Sequence, residues 1–156
     1  SEYLAQMHEV VAGRPPRFNA KAEKGLISLL IEAAKEGFLI SAHDCSEGGL
    51  GIALAESAMA HGVGANLDLT DANAHGLPFW RMLFSESPAR AIVEVKPEKA
   101  GALQNLARKN GVGAFFVGKT GGDALSVKMA GSVLGLKIED MRKAYEEALP
   151  RAISGR

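Results

Sequence analysis

Apolar positions recur along this chain at two periods, 3.6 and 2, and the changes between them mark its elements. Tyr3, Leu4, Met7, Val10 and Val11 fall at helical spacing and predict a helix over residues 2–11. Gly13 and Arg14-Pro15-Pro16 stop it, because proline cannot continue the hydrogen-bond ladder. Asn19 is placed to cap a second helix, with Glu23 in its first turns. Ala22, Leu26, Leu29, Leu30 and Ala33 form its apolar stripe, and Gly37 its stop. Phe38 to Ala42 is a short apolar run that predicts a strand, and His43 to Gly49 a polar, glycine-rich turn. From near Leu50, the residues Leu50, Ala53, Leu54, Ser57 and Ala58 predict a helix ended by Gly62 and Gly64.

Ala65, Leu67 and Leu69 alternate with Asn66 and Asp68, as in a half-buried strand. A turn-rich loop over 70–78 leads to a short helix with Phe79, Trp80, Leu83 and Phe84. Residues 91–95 read as a strand, and Pro97 suits the first position of the helix carrying Ala100, Leu103, Leu106 and Ala107. Ala114 to Val117 is continuously apolar and predicts a central strand. Gly121-Gly122-Asp123 reads as a hairpin turn before the alternating Leu125, Val127 and Met129. A last helix is predicted over about Ile138 to Leu149, ended by Pro150. The resulting order, ααβαβαβαββα, implies an α/β (α+β) architecture: a mixed sheet of about five to six strands layered with helices.

At 156 residues the chain has the length of one domain, 1–156, able to bury a core without disulfide or metal staples. Its 18 basic and 18 acidic residues cancel, which argues against a nucleic-acid partner and favours self-association of an isolated piece. One cysteine excludes an internal disulfide and a thiolate zinc cluster, and points to the cytoplasm. No apolar run reaches the roughly 18 residues of a membrane-spanning helix, and no signal peptide is visible. The chain begins at Ser1 in a helical pattern, as a piece of a longer subunit would.

Chemistry concentrates in SAHDCSEGGLG, residues 41–51, which runs strand, tight turn, helix. A helix N-terminus offers unpaired N–H groups and partial positive charge, and Gly48 and Gly49 would let a phosphate approach them. Ser46 would add a hydroxyl donor. In the opposite reading, Asp44, Glu47 and Glu56 supply oxygens to Mg²⁺. In the plain structural reading Ser46 caps the helix and the glycines only permit the turn. No Gly-Lys-Ser/Thr follows, so this is not a Walker A loop. His43 is adjacent to Asp44 but points to the other face of a strand, and Cys45 has no base partner in sequence. A second cluster is LFSESPAR, residues 83–90: Glu86 is placed to accept hydrogen bonds or ligate a metal, and Arg90 to pair with Glu86 or a phosphate. Arg14 and Arg17 flank a stiff Pro-Pro that is either a strap or a plain connection. Trp80, Phe79 and Phe84 read as core rather than as a partner-facing patch.

Taken together, SAHDCSEGGLGIALAES and LFSESPARAIVEV resemble the C-terminal domain of the large subunit of phosphoribosylformylglycinamidine (FGAM) synthase. SEYLAQMHEVVAGRPP is similar to the segment entering that domain, and AYEEALPRAI to the end of the small, stand-alone form of the subunit. Aminoimidazole ribonucleotide synthetase, selenophosphate synthetase and thiamine-monophosphate kinase share the domain type. The resemblance implies a ligase of purine biosynthesis. It would turn formylglycinamide ribonucleotide, glutamine and ATP into FGAM, glutamate, ADP and phosphate, with Mg²⁺. It implies that the loop Asp44 to Gly49 faces an inter-domain cleft and that Glu86 is the Glu of the family's second motif; the residue reading itself places Asp44, Ser46, Gly48, Gly49 and Arg90 toward substrate or phosphate and Asp44 and Glu86 toward metal. Implied partners are the remaining domains of the subunit, a glutaminase subunit and a small bridging subunit. The catalytic histidine and most of the nucleotide site would lie in other domains, so the piece alone is expected to be inactive. The alternatives are a non-catalytic interaction module of that subunit, or the C-terminal domain of a related ATP-using synthase such as selenophosphate synthetase or thiamine-monophosphate kinase. Ser85 and Pro88 depart from the family pattern, which has glycine and commonly a polar residue there.

Overall fold

In chain order the elements are α1 (Glu2–His8), α2 (Ala20–Lys35), β1 (Leu39–Asp44), α3 (Gly49–His61), β2 (Ala65–Asp68), α4 (Phe79–Phe84), β3 (Ala91–Val95), one turn of 3₁₀-helix (Pro97–Lys99), α5 (Ala100–Lys109), β4 (Gly118–Thr120), β5 (Ala124–Met129), β6 (Ser132–Lys137) and α6 (Ile138–Ser154). The computed structural model describes residues 1–155. Its contacts group the chain into two compact units, Ser1–Ala53 with Trp80–Phe116, and Leu54–Phe79 with the chain from Val117 onward.

In the first unit, β1 and β3 form a two-stranded antiparallel ladder. Helices α2 and α5 supply its core through Leu29, Ala33, Leu103 and Ala107, against Phe38, Leu39, Val93, Val95 and Val112. Burying each leucine contributes about 1.5–3 kcal/mol. The two helices start and stop by local chemistry. Asn19 Oδ1 accepts from the N–H groups of Lys21 and Ala22, each at 3.1 Å, so the predicted cap is present. At the other end the Phe38 N–H reaches Ala33 O at 2.9 Å and the Gly37 N–H reaches Ala34 O at 3.1 Å. That is a Schellman stop, with Gly37 at φ 64°. Helix α5 repeats it: Val112 to Ala107 O at 2.9 Å, Gly111 to Arg108 O at 3.1 Å. Both stops deliver an apolar residue, Phe38 or Val112, into the same core. Gly25 lies inside α2 because a Cβ there would stand 2.6 Å from Asn110 O.

In the second unit the strand order is β4-β2-β5-β6. Strands β2 and β5 run parallel, and the outer pairs are antiparallel. Leu125, Val127 and Met129 alternate into the interior as their spacing predicts. Ile138 and Met141 are buried at the start of α6, and the Arg142 guanidinium donates to Met59 O near the end of α3.

The expected mixed α/β class is present, with six strands among the described residues, but they form two sheets of two and four. Four local expectations are corrected. Helix α1 ends at His8, where Glu9 turns left-handed at φ 53°, leaving Val11 95% exposed. Residues 114–117 are not a strand: Phe115 and Phe116 are exposed, and Val117 joins the ladder only by accepting from the Asp68 N–H at 2.7 Å. Gly121-Gly122 does not close a hairpin, because β2 lies between β4 and β5; the Gly121 N–H donates to Gly64 O and the Gly64 N–H to Gly122 O. The true hairpin joins β5 to β6 at Ala130-Gly131, both at positive φ. Finally, α6 runs through Pro150 to Ser154, since proline forfeits one ladder bond and Arg151–Glu147 pairs across it.

Candidate functional site

Ala91 at the start of β3 stands opposite Asp44 at the end of β1. The chain leaving β1 and the chain entering β3 therefore emerge side by side. This antiparallel register brings the two polar clusters of the sequence to one end of one ladder. Strand β1 continues to Asp44, so His43 and Asp44 belong to the strand and not to the turn. The Cys45 N–H extends the ladder by donating to Arg90 O at 3.0 Å.

The turn that follows is built for close approach. The Gly49 N–H donates to Ser46 O at 3.1 Å. Gly48 and Gly49 have φ of 74° and 67°, a left-handed region that costs an L-residue roughly 1–2 kcal/mol. A Cβ on Gly49 would also stand 2.4 Å from Ser85 O and 2.9 Å from Leu83 O. The glycines thus admit the backbone of residues 83–85 against the start of α3.

Glu86 then caps two segments with one oxygen. Its Oε1 accepts from the Gly48 N–H at 3.1 Å and from the Glu2 N–H, at the start of α1, at 2.8 Å. A carboxylate suits this place, next to the positive end of α3. Arg90 holds the loop that carries Glu86: its guanidinium donates to Ser87 O at 3.1 Å and to Ser85 O. Ala89, between Pro88 and Arg90, sits at φ 58° to complete this tight path.

Asp44 faces outward, its side chain 78% exposed. Ser46 Oγ donates to Asp44 Oδ2, and that bond, with help from the Asp44 backbone and nearby His43, holds the Asp44 carboxyl below the usual carboxylate range. His43 Nδ1 donates to Asp44 O at 2.7 Å and stands 4.0 Å from Asp44 Oδ1. Burial pushes the Cys45 thiol up, so it stays protonated and a poor nucleophile.

Both predicted clusters are therefore brought together, with roles the spacing did not show. The Gly48 N–H is satisfied by Glu86, and the Ser46 proton by Asp44. What the end of β1 and the turn after it present outward is an ionised carboxylate, Asp44, with the Ser46 hydroxyl oxygen beside it, a hard-oxygen pair. Among the described residues no group of three or more His, Cys, Asp or Glu is placed to hold a metal ion. Two participants were missed by sequence reasoning. One is the Glu2 N–H, which has no side-chain signal. The other is Tyr3, whose ring stacks on Trp80 with centroids 5.5 Å apart and on Phe84 at 4.9 Å. Trp80 was expected in the core and is 43% exposed. Among the described residues no helix is long and apolar enough to cross a membrane.

Residues 1–129 match the family described as AIR synthase related protein, C-terminal domain. Over 96% of its length the chain is 43% identical to the phosphoribosylformylglycinamidine synthase subunit PurL of Moorella thermoacetica, of which it covers 20%. Over 97% of its length it is 38% identical to the subunit of the same name from Methanocaldococcus jannaschii, again covering 20%. The chain thus spans about a fifth of the length of the curated relatives it matches. Among solved structures, Thermotoga maritima PurL complexed with ATP aligns with 80% of the chain at TM-score 0.71 and 26% identity, and the chain covers 22% of it. The structure of PurLQS from the same organism aligns with 87% of the chain at TM-score 0.69 and 25% identity, with 23% of that chain covered.

Proposed function

Because the chain belongs to the AIR synthase related C-terminal domain family, we propose that it is the C-terminal, cleft-lining domain of an ATP-dependent FGAM synthase subunit. In that subunit formylglycinamide ribonucleotide, glutamine and ATP yield FGAM, glutamate, ADP and phosphate in purine biosynthesis. The observation that carries this reading is the 43% identity to a PurL subunit over 96% of the chain. The Thermotoga maritima PurL structures complexed with ATP and with FGAR are relatives of this fold and support the substrate class. The remaining domains of the subunit would supply most of the nucleotide site. Glutaminase and small bridging subunits would be its partners, as the PurLQS assembly supports, and the cytoplasm its compartment.

Asp44 fits a role in holding Mg²⁺, being ionised, outward and made of hard oxygen. The described residues do not complete a cage, which suits an ion that keeps waters and substrate phosphates as its other ligands. When bound, the ion would neutralise charge on the transferring phosphoryl group. Glu86 acts here as the cap that fixes the turn, and Arg90 as the clamp that fixes Glu86. Ser46 keeps Asp44 ionised and oriented. Gly48 and Gly49 allow the substrate-facing backbone its shape.

Asp44→Asn in the full-length subunit tests this. Turnover should fall by at least the roughly 10- to 100-fold lost when groups hydrogen-bonded to metal ligands are removed, with subunit assembly unchanged. The Glu86 and Arg90 contacts are also what a purely structural domain would contain. Unchanged turnover of Asp44→Asn would favour that second reading, a non-catalytic module of the same subunit.

A further inference from the structure

Helix α1 touches the site by two unrelated contacts, one apolar and one polar. None of its residues is buried, and residues 9–18 after it form no helix or strand. Its ring contact outside the helix is made by Tyr3, which stacks nearly parallel to Phe84 (9°) and Trp80 (17°) and, within α1, meets His8 edge-on at 5.4 Å. The Glu2 N–H, one residue away, reaches the same Glu86 Oε1 that caps Gly48. Trp80 and Phe84 lie on α4, which leads directly into the Ser85–Glu86 loop.

We propose that α1 is a latch and Tyr3 a positioning residue. Docking of Tyr3 on α4 brings the Glu2 N–H to Glu86, and the shared oxygen transmits that docking to the Gly48-Gly49 turn at the start of α3. With α1 docked, Glu86 Oε1 has two donors and one fixed position. With α1 released, it keeps one donor and the turn loosens. The inference deepens the proposed role of this turn as a cleft-facing loop, but its test needs no substrate and so stands or falls separately from that role.

Trp80 is the only tryptophan in these 156 residues, so within them its fluorescence reports the docking of α1 directly. In the full chain, Tyr3→Ala should shift Trp80 emission to the red. It should also speed hydrogen exchange at the Gly48 amide roughly ten-fold, the factor for about 1.4 kcal/mol of lost stacking. Tyr3→Phe retains the ring and should restore both signals. Glu86→Ala should speed Gly48 exchange as well, and the double variant should exchange no faster than Glu86→Ala alone, because both act through one oxygen. The latch is overturned if Tyr3→Ala leaves Trp80 emission unchanged. It is equally overturned if emission shifts while Gly48 exchange does not, or if the two substitutions add. Should Tyr3→Ala unfold the chain, Tyr3→Leu with the same two readouts decides between these outcomes.

Discussion

Two Gly-Gly pairs punctuate this chain, and they do different work. Gly48-Gly49 opens α3 and Gly121-Gly122 leads into β5, and all four have positive φ. At Gly49 a Cβ would collide with Ser85 O at 2.4 Å, whereas at Gly121 and Gly122 it would meet nothing within 4 Å. The first pair is required twice, by its backbone angles and by the backbone packed on it. The second is required only by its angles. The first is also wired to side chains, through Glu86 on Gly48 and Asp44 on Ser46. The second is held by backbone bonds to Gly64, at 2.7 and 2.8 Å. Identical dipeptides thus mark a side-chain-wired turn in one place and a plain strand connection in the other.

Alanine substitution separates the two. Gly49→Ala adds a steric clash with fixed backbone to left-handed strain and should cost roughly 3 kcal/mol or more. For a chain of this size that lowers Tm by about 6–12 °C. Gly122→Ala pays the angular strain only, about 1–2 kcal/mol. Urea midpoints of the two variants provide the comparison; equal losses would mean that the Ser85 contact contributes nothing.

Much of this was visible in the sequence because it is locally encoded. Asn19, Gly37 and Pro97 mark helix boundaries by chemistry that acts within four residues. The strand at 91–95 and the alternation of Leu125, Val127 and Met129 were equally plain. The errors fall where a distant segment decides. Ala114 to Val117 has a strand's composition, but the ladder takes up only the Val117 carbonyl. Gly121-Gly122 has a hairpin's turn residues, but β2 occupies the space between its strands. Pro150 reads as a helix end, yet one missing N–H is not enough to stop a helix whose turns continue past it. At the candidate site, the residue types of both loops were legible. Their wiring was not, because Glu86 reaches Gly48 across 38 residues and Glu2 across 84.

A smaller effect probes strain in the same two regions. Ala89, beside the Arg90 clamp, and Ala130, in the β5–β6 hairpin, are both left-handed, at φ 58° and 48°. Replacing either by glycine removes the Cβ penalty and adds flexibility to the unfolded chain, for a net gain of about 0.5–1 kcal/mol. Ala89→Gly should match Ala130→Gly in urea midpoint if Arg90 holds the loop without help from the Ala89 side chain. A loss of stability at Ala89 alone would show that its methyl group packs the loop.

The smallest effect is electrostatic and belongs to the first turn. Ser46 lowers the Asp44 pKa in the folded chain relative to the unfolded one. A carboxylate with a depressed folded pKa contributes stability above its unfolded value, and the contribution is lost as pH falls through the folded one. The Ser46–Gly49 turn should therefore keep its geometry as pH drops through the ordinary carboxylate range and loosen only below it. Because Asp44 is solvent-exposed, global stability should change little, and the local signal is the one to follow. Amide shifts of Ser46 and Glu47 followed by NMR against pH give the midpoint directly. Ser46→Ala should raise that midpoint toward the ordinary aspartate value. A midpoint already there in the unsubstituted chain would mean that the Ser46 hydroxyl points elsewhere in solution, and Asp44 would then lose the partner that orients it outward.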